Sequence, residues 1–311
     1  MKLFLLLILL LPSTVWAGSN HVLLYDGYGS SQSFVIEGRI VAAEKLSAPK
    51  DDDAWHRNLR RTLSTMKNSE RENVKIQLSV GGNVARASSD EEGYFRVTIT
   101  PTQALAPGWH TVTARGKNTQ GEGRVLIVPR VNTLGVISDV DDTALISEVP
   151  DKTKLLKNTF LKNPIQRQTF PGTGDFYRRL LAQNDDPKTA AMFYVSASPR
   201  QLAQNIQASL TRNDFPPGVL VTKQISGHGH DPLLDQKQYK ITKIENIFAA
   251  LPWVNFVLVG DDGERDPETF QALKDKHPER VLAIYIRKVH PDPQRKTYAG
   301  QMDLSDGIKG R

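Results

Sequence analysis

Apolar and polar residues alternate with a period of two through most of the first part of the chain, up to about residue 129. This period is typical of strands that bury one face, and turn signals such as the stretches GGN, DEEG and APG separate the segments. The pattern predicts an all-β sandwich. The clearest strand candidates begin at Ser33, Val74, Tyr94, Trp109 and Gly123.

One segment of this first part has a helical pattern instead. Residues 51–53 are three acids, which favour the start of a helix, and apolar side chains then recur at helical spacing. The apolar stripe comprises Trp55, Leu59, Leu63 and Met66, and the basic residues around it are Arg57, Arg60, Arg61 and Lys67. A basic amphipathic helix can lie on an anionic membrane, but the same stripe can pack on the sandwich and leave a solvated basic face.

From residue 131 onward, apolar runs without alternation take turns with helical patterns. Strands are predicted at 134–138, 191–196, 218–225, 254–260 and 280–289, and helices are predicted to begin near Gly174, Gln201, Ile241 and Asp266. Apolar runs joined by helices indicate a parallel sheet covered on both faces. We therefore expect two domains, an accessory all-β domain at 18–130 and an α/β domain at 131–311.

The N-terminus has the pattern of a secretory signal peptide at residues 1–17. Lys2 is followed by a short apolar run that ends before Pro12, and the small residues Val15 and Ala17 suit a signal peptidase. The run is too short to span a bilayer, and the alternative is an uncleaved anchor. The expectation is an exported protein, either periplasmic or secreted.

Composition narrows the possible partners and the possible chemistry. The 311 residues carry a net charge of +6, which favours acidic partners such as nucleic acid, anionic lipid or phosphorylated molecules. A net charge of this size is also compatible with a soluble basic protein that has no acidic partner. The chain contains no cysteine, so disulfides, thiol nucleophiles and cysteine metal sites are excluded.

Two groups of acids each follow a predicted strand. The first group, in LGVISDVDDTALIS, is Asp139, Asp141 and Asp142, and the second, in GDDGERDP, is Asp261, Asp262 and Asp266. Carboxylates about 4 Å apart repel by roughly 4 kcal/mol near a protein surface, so such groups need a cation. Parallel strands bind ligands at their carboxyl ends, and oxygen donors favour Mg²⁺ before Ca²⁺. A calcium loop starting at Asp139 is disfavoured, because its sixth and twelfth positions hold Ala144 and Pro150.

Two further segments add groups that suit an oxyanion. Ser196 and Ser198 end the strand pattern in AMFYVSASPR, and Lys240 lies just before a predicted helix. Lys243 is an alternative to Lys240 for the same role. A hydroxyl and an ammonium beside a Mg²⁺ site suit a phosphoryl group.

Together these segments resemble the four motifs of haloacid-dehalogenase-like phosphatases: strand-D-x-D-x-T, strand-S, a lysine before a helix, and strand-G-D-x-x-x-x-D. The stretches SDVDDT, FPGTGDFYRRL, YVSASPRQL, YKITKIENIFAALP and FVLVGDDGERDPETF are similar to the catalytic domain of the actin-patch-protein phosphatidate phosphatase family, a lipin-like branch. LLYDGYGS and GWHTVTARG also resemble the β domain of its bacterial members. The resemblance implies an exported bacterial protein with a Rossmann-like haloacid-dehalogenase-type parallel sheet and helices on both faces.

The chain departs from the family pattern at three positions. The family more often has SNSPW where this chain has SASPR, so Ala197 and Arg200 differ. The family more often has GDSGEKDP, so Asp262 is an extra acid. All three positions lie near the expected substrate side.

The resemblance also implies two-step phosphoryl transfer. Asp139 would attack phosphorus to form an aspartyl phosphate, and Asp141 would protonate the leaving alkoxide and later take a proton from water. Lys240 and Ser196 would bind the phosphoryl oxygens. The implied catalytic residues are Asp139, Asp141, Thr143, Ser196 and Lys240, and the implied Mg²⁺ ligands are Asp139, Asp141 through its backbone carbonyl, Asp261 and Asp266.

The sequence therefore predicts a Mg²⁺-dependent phosphomonoesterase that acts on phosphatidate or a similar anionic phospholipid. Peripheral membrane contact and no nucleic-acid partner are expected. One alternative is a phosphatase for a soluble phosphomonoester, and another is a catalytically silent phosphatidate-binding module. The Asp139 and Asp141 pair argues against the silent module, because sensing modules of that kind lose the nucleophile.

Overall fold

The computed structural model describes residues 20–42, 71–145, 169–224, 236–289 and 295–310. The predicted signal peptide and the predicted basic helix lie outside these described residues, so both stay predictions. Within the described ranges, none of the helices is both long enough and apolar enough to cross a membrane.

Eight strands of the first part belong to one hydrogen-bonded sheet. They are β1 (Asn20–Leu24), β2 (Gly27–Gly29), β3 (Phe34–Ala42), β4 (Lys75–Val80), β5 (Asn83–Ser88), β6 (Tyr94–Ile99), β7 (Gly108–Gly116) and β8 (Thr119–Ile127). The order is β1-β3-β2-β8-β7-β4-β5, with β6 paired to β3 and β1 also paired to β8. Except where β1 and β2 pair with β8, the pairs are antiparallel. The sandwich domain and its boundary stay predictions.

Alternation along the strands explains how this antiparallel sheet buries its core. On β4, Ile76, Leu78 and Val80 are buried, whereas the alternate residues Lys75 and Gln77 are exposed. Each buried side chain of this size contributes about 1.5–3 kcal/mol relative to exposure. The same core includes Phe34, Ile36, Ile40, Val112, Val125 and Ile127 from neighbouring strands.

The second sheet consists of six parallel strands in the order β11-β10-β9-β12-β13-β14. They are β9 (Leu134–Asp139), β10 (Met192–Pro199), β11 (Val219–Lys223), β12 (Asn255–Asp261), β13 (Val281–Arg287) and β14 (Gln301–Asp303). The helices are α1 (Thr173–Leu181), α2 (Ala203–Arg212), α3 (Gln236–Ala250), α4 (Asp266–Lys276) and α5 (Leu304–Lys309). The predicted parallel sheet is confirmed, and β14 and α5 are additional elements.

Helices cover both faces of the parallel sheet. On β9, Val136 packs in one apolar cluster with residues of α1 and α2. The next residue, Ile137, packs in another cluster with residues of α3 and α4. Because both faces are buried, the strand needs an apolar residue at nearly every position, which explains the runs without alternation.

Helix α3 differs from the prediction. The apolar pattern predicts a helix from about Ile241 with Lys240 just before it, but the chain is already helical at Gln236. The first five residues, QKQYK, show no apolar stripe, although Gln and Lys favour helices. Lys240 is the buried residue of this turn, and carboxylates rather than apolar side chains contact its ammonium. The prediction that Lys240 precedes the helix is therefore wrong.

The two sheets share an apolar core. Tyr28, Leu126 and Val128, on or just after strands of the antiparallel sheet, belong to the same cluster as Phe193 of β10. The rings of Tyr28 and Phe193 meet edge to face with their centroids 5.2 Å apart. This shared core holds the antiparallel sheet against the parallel one.

Candidate active site

The two acidic groups predicted from the sequence meet at one edge of the parallel sheet. Strands β9 and β12 are neighbours and run in the same direction, with Ser138 opposite Val259. The carboxyl ends of the two strands therefore carry Asp139 and Asp261 close together. The two acid-bearing strands are thus adjacent, as a site shared by both groups of acids requires.

Three buried carboxylates form the centre of this site. Asp139, Asp261 and Asp266 each place one carboxylate oxygen within 4.8 Å of the others. Asp266 is the first residue of α4 and is fully buried. Gly260 makes room for it, because a Cβ atom at this position would lie 2.4 Å from Asp266 Oδ2. A larger residue at position 260 would push the Asp266 carboxylate away from the other two.

Lys240 provides the positive charge of this cluster. Its Nζ atom lies 2.8 Å from Asp139 Oδ1 and 2.5 Å from Asp266 Oδ1. A third carboxylate oxygen, Glu264 Oε2, lies 3.5 Å from the same nitrogen. Lys243, the alternative considered from the sequence, lines a different cavity. The structure thus brings Lys240, and not Lys243, to the acids.

Asp141 is held by two hydroxyl groups of β10. Its Oδ2 atom accepts hydrogen bonds from Ser196 Oγ at 3.1 Å and from Ser198 Oγ at 3.0 Å. The backbone N–H of Ser198 donates to Ser196 Oγ at 3.0 Å, which fixes the first hydroxyl. Strand β10 is the other neighbour of β9, so strand pairing brings these serines to the acids.

Thr143 and the turn after β12 orient Asp261. Thr143 Oγ1 donates a hydrogen bond to Asp261 Oδ2 at 3.3 Å. The backbone N–H groups of Gly263 and Glu264 donate to Asp261 Oδ1 at 2.7 and 3.2 Å. Because both carboxylate oxygens accept hydrogen bonds, the side chain is restricted to one orientation.

The other two acids of the predicted groups make contacts that shape the loops. Asp142 has a left-handed backbone conformation with φ of 58°, which aspartate adopts more readily than most residues. Its carbonyl accepts a hydrogen bond from Arg287 Nη1 at 2.5 Å. The Asp262 Oδ1 atom accepts one from the backbone N–H of Val289 at 2.6 Å. Neither residue belongs to the three-carboxylate centre found within the described ranges.

Glu264 is a site residue that the sequence did not predict, and Ser198 was not among the predicted catalytic residues. The Glu264 side chain is only 16% exposed and contacts Lys240, and its place in the acid-rich loop GDDGER was a signal that could have revealed it. Ser198, which the sequence pattern places beside Ser196 at the end of the strand, binds Asp141 from within β10.

Burial changes the protonation of the site. Desolvation raises the pKa of the Asp139 carboxyl well above its usual range; Lys240 opposes the rise, whereas Asp266 and Asp261 add to it. Burial and the charge of Asp266 likewise raise the pKa of Asp261. Burial lowers the pKa of Lys240, but the carboxylates outweigh it and hold this pKa well above its usual value. Lys240 is therefore charged at neutral pH, and the acids resist ionisation unless a further cation binds.

The donor set fits a hard divalent cation. The carboxylates whose charges act on the Lys240 ammonium are Asp139, Asp261, Glu264 and Asp266. Asp139 Oδ2 is buried and has no hydrogen-bond partner in the described part of the chain. Oxygen-only donors with excess negative charge suit such an ion. The side chains that could hold it are those of Asp139, Asp261 and Asp266. Asp141 was predicted as a ligand through its backbone carbonyl, and its side chain lies outside this group.

The comparison with protein families is specific for this part of the chain. Residues 134–288 match the family model described as the catalytic domain of the phosphatidate phosphatase APP1. The chain belongs to the APP1 catalytic-domain family. Each residue of the site described above lies inside the matched segment, which runs from β9 through β13, whereas the antiparallel sheet precedes it.

Relatives of the APP1 family are much longer than this chain. The chain is 35% identical over 156 residues to the phosphatidate phosphatase APP1 of Saccharomyces cerevisiae, a match covering 50% of this chain and 26% of that protein. It is 26% identical over 239 residues to an uncharacterized protein of Schizosaccharomyces pombe, covering 74% of this chain and 37% of that protein. The matched segments thus cover well under half of either relative.

Solved structures resemble the chain only weakly. A carbohydrate acetylesterase from Xanthomonas citri matches 85% of this chain and 66% of its own, with 11% identity and a TM-score of 0.31. A similarity of this size carries no argument about fold or function.

Proposed function

We propose that this chain is a Mg²⁺-dependent phosphomonoesterase that forms an aspartyl phosphate on Asp139, with phosphatidate as its substrate. One observation carries the proposal: Lys240 holds Asp139 Oδ1 at 2.8 Å, while Asp139 Oδ2 is buried and has no hydrogen-bond partner within the described ranges. The six parallel strands and the acids at their ends support a haloacid-dehalogenase type of fold for this part.

Asp139 is the proposed nucleophile. Its Oδ2 atom attacks phosphorus, the new O–P bond forms as the bond to the alkoxide breaks, and the phosphoryl group is transferred to Asp139. Lys240 holds the other carboxylate oxygen and supplies a positive charge next to the reacting group. The fixed position of Asp139 also spares the reaction an orientational cost.

Asp141 is the proposed acid and base. It gives its proton to the leaving alkoxide, and it takes one from the water that hydrolyses the aspartyl phosphate. The hydroxyls of Ser196 and Ser198 both bind Asp141 Oδ2, so they keep this carboxyl on the side of β10 throughout both steps.

Asp139, Asp261 and Asp266 are the proposed Mg²⁺ ligands, together with the backbone carbonyl of Asp141 predicted from the family resemblance. When bound, the ion supplies positive charge that reduces the repulsion between carboxylate and phosphate. Thr143 and the turn after β12 hold the Asp261 carboxylate in one orientation before any ion binds.

A groove lined in part by Asp262 and Pro267, which follow Asp261 and Asp266 in the chain, supports an anionic lipid as substrate. This cavity of about 440 Å³ combines basic and apolar side chains, a combination that suits a phosphate attached to a hydrocarbon chain. Its lining includes Asp262, Ile286, Lys288, Arg295, Tyr298 and Met302. The activity named for the yeast relative supports the same substrate class. We further propose that the protein is exported and acts at a membrane surface.

Phosphate release from two substrates tests this function. The purified chain is supplied with phosphatidate in vesicles or with a soluble phosphomonoester, each with Mg²⁺ or with EDTA. We expect release from phosphatidate that needs Mg²⁺ and disappears in EDTA. Release from the soluble ester alone would favour the soluble phosphatase, and binding to phosphatidate without any release would favour the silent binding module.

A further inference from the structure

A second cavity lies where the two sheets meet, and we call it the seam pocket. It has a volume of about 570 Å³. The antiparallel sheet contributes Glu37 of β3 and Arg96 of β6, and the α/β part contributes Arg200, just after β10, and Lys243 of α3. None of the residues that line it belongs to the acidic site. The seam pocket is therefore separate from the catalytic cluster.

Positive charge exceeds negative charge around Glu37. Arg96 and Arg200 both form salt bridges with the Glu37 carboxylate, so one acid serves two guanidinium groups. Asp90 also lines the pocket, but its Oδ1 atom already accepts two backbone N–H groups, those of Glu92 and Tyr94. The seam pocket thus contains three basic side chains, Arg96, Arg200 and Lys243. Among the described residues, Glu37 is the only carboxylate that forms salt bridges with any of them.

Lys243 is the basic residue of the pocket whose ammonium is not in direct contact with a carboxylate among the described residues. It forms no salt bridge in the described part of the chain, and the ring of Tyr239 lies 6.0 Å from its Nζ atom. Burial lowers the pKa of Lys243; Glu37 opposes this shift, and Arg200 and Arg96 reinforce it. An anion placed between Lys243 and Arg96 would relieve this repulsion, and Ser88 and Asn246 add neutral hydrogen-bond donors to the lining.

We propose that the seam pocket binds a phosphate-bearing ligand through Lys243 and Arg96. The volume leaves room for a small organic group attached to the phosphate. Because the lining comes from both sheets, the ligand would bind only where they are packed together. This inference does not depend on the proposed reaction, since it uses none of the proposed catalytic residues.

Calorimetric titration with inorganic phosphate tests the pocket in protein kept free of metal by EDTA. Without metal, the carboxylates of the acidic site repel anions, so binding there is suppressed. We expect wild-type protein to bind phosphate and Lys243→Gln to bind about tenfold more weakly, because it loses a charge-assisted contact. Arg96→Gln, at a more exposed residue, should also weaken binding. Lys117→Gln, with the same charge change in the exposed turn between β7 and β8, should bind like wild type.

Vesicles distinguish a lipid headgroup from a free phosphate compound. Phosphatidylcholine vesicles are compared with vesicles that also contain phosphatidylglycerol, a phosphodiester that a phosphomonoesterase does not consume. If wild-type protein binds the vesicles that contain phosphatidylglycerol and Lys243→Gln abolishes this binding, the ligand is a lipid headgroup. If the protein binds inorganic phosphate but not these vesicles, the ligand is a soluble phosphate compound. The proposal is overturned if wild-type protein binds neither probe, if both pocket variants bind as wild type does, or if Lys117→Gln weakens binding equally.

Discussion

Asp139 combines two roles that a single substitution can separate. As the proposed nucleophile it is essential, and as a buried acid beside Asp261 and Asp266 it is electrostatically unfavourable without a metal. We expect Asp139→Asn to lower turnover by at least about 10⁴-fold, the scale on which removal of a nucleophile acts. The folded state should be retained with an unchanged or higher melting temperature, because the amide removes one negative charge from the cluster.

Steady-state phosphate release and a thermal melt, both on the same preparation, check this expectation. Activity above a few per cent of wild type, in protein free of contaminating phosphatase, would remove Asp139 from the role of nucleophile. A large drop in melting temperature would instead show that its ion pair with Lys240 matters more for folding than the repulsion does.

The raised pKa values of the acids predict how stability depends on pH. Burial raises the pKa of Asp139, Asp261 and Glu264, so above about pH 4 these three groups bind more protons in the metal-free folded chain than in the unfolded chain. The contribution of these groups to stability must therefore fall as pH rises from about 4 through the raised values. Mg²⁺ needs the ionised carboxylates, so its stabilising effect should grow over the same range.

Thermal melts from acid to neutral pH, in EDTA and in Mg²⁺, measure this effect. We expect the difference in melting temperature between the two conditions to increase with pH in wild type and to increase much less in Asp139→Asn. A difference that is constant with pH would contradict proton and metal competition at these carboxylates.

Among the elements, strand β10 connects the active site to the antiparallel sheet. Arg200 follows the two serines that hold Asp141, and it is only 6% exposed. It forms a salt bridge with Glu37 of β3, and its Nε atom donates to the Thr222 carbonyl at 3.2 Å. The end of β10 is thus fixed from both sides.

Replacing Glu37 should show what this connection contributes. Glu37→Gln leaves the buried Arg200 without its carboxylate, and removal of one partner from such a pair costs about 3 kcal/mol or more in the free energy of unfolding. Arg96→Gln breaks the other salt bridge of Glu37, but Arg96 is 46% exposed, so we expect a loss of less than about 1 kcal/mol. Chemical denaturation of both variants, with kcat measured alongside, makes the comparison.

The effect of Glu37→Gln should also depend on pH. Burial alone would raise the pKa of Glu37, but Arg200, Lys243 and Arg96 outweigh it and lower this pKa below its usual value. Glu37 therefore contributes stability above its unfolded pKa of about 4, and the contribution is lost as pH falls through the lower folded value. Equal stability losses in Glu37→Gln at neutral and strongly acidic pH would contradict this assignment.

For the molecule as a whole, the proposed membrane contact makes a separate prediction. The basic helix predicted within residues 51–70 lies outside the described residues. Each basic side chain near an anionic surface contributes about 1 kcal/mol, and this attraction decays within about a Debye length. Replacing Arg57, Arg60 and Arg61 by Glu should lower activity on phosphatidate vesicles and leave hydrolysis of a soluble ester unchanged. If neither activity falls, the segment is a solvated face of the antiparallel part.

Much of the architecture follows from local patterns in the sequence. Apolar runs at β9 and β12 indicate strands buried on both faces, and acids at the ends of those runs indicate one site, because parallel strands present their carboxyl ends together. The pattern predicts the start of α3 too late, because hydrophobic periodicity detects burial of apolar side chains, whereas Lys240 is buried among carboxylates.

Contacts between distant segments were decided only by the tertiary structure. The pairing of Glu37 with Arg200 joins residues 163 positions apart, and no periodicity links them. The sequence suggested serines beside a phosphoryl group, whereas only the packing of β10 against β9 shows both hydroxyls bound to Asp141. Local hydrophobic patterning determines which segments become strands, and the sequence shows which charged residues follow each strand. Which of these charged side chains come into contact depends on their directions, and those are set only when the two sheets pack together.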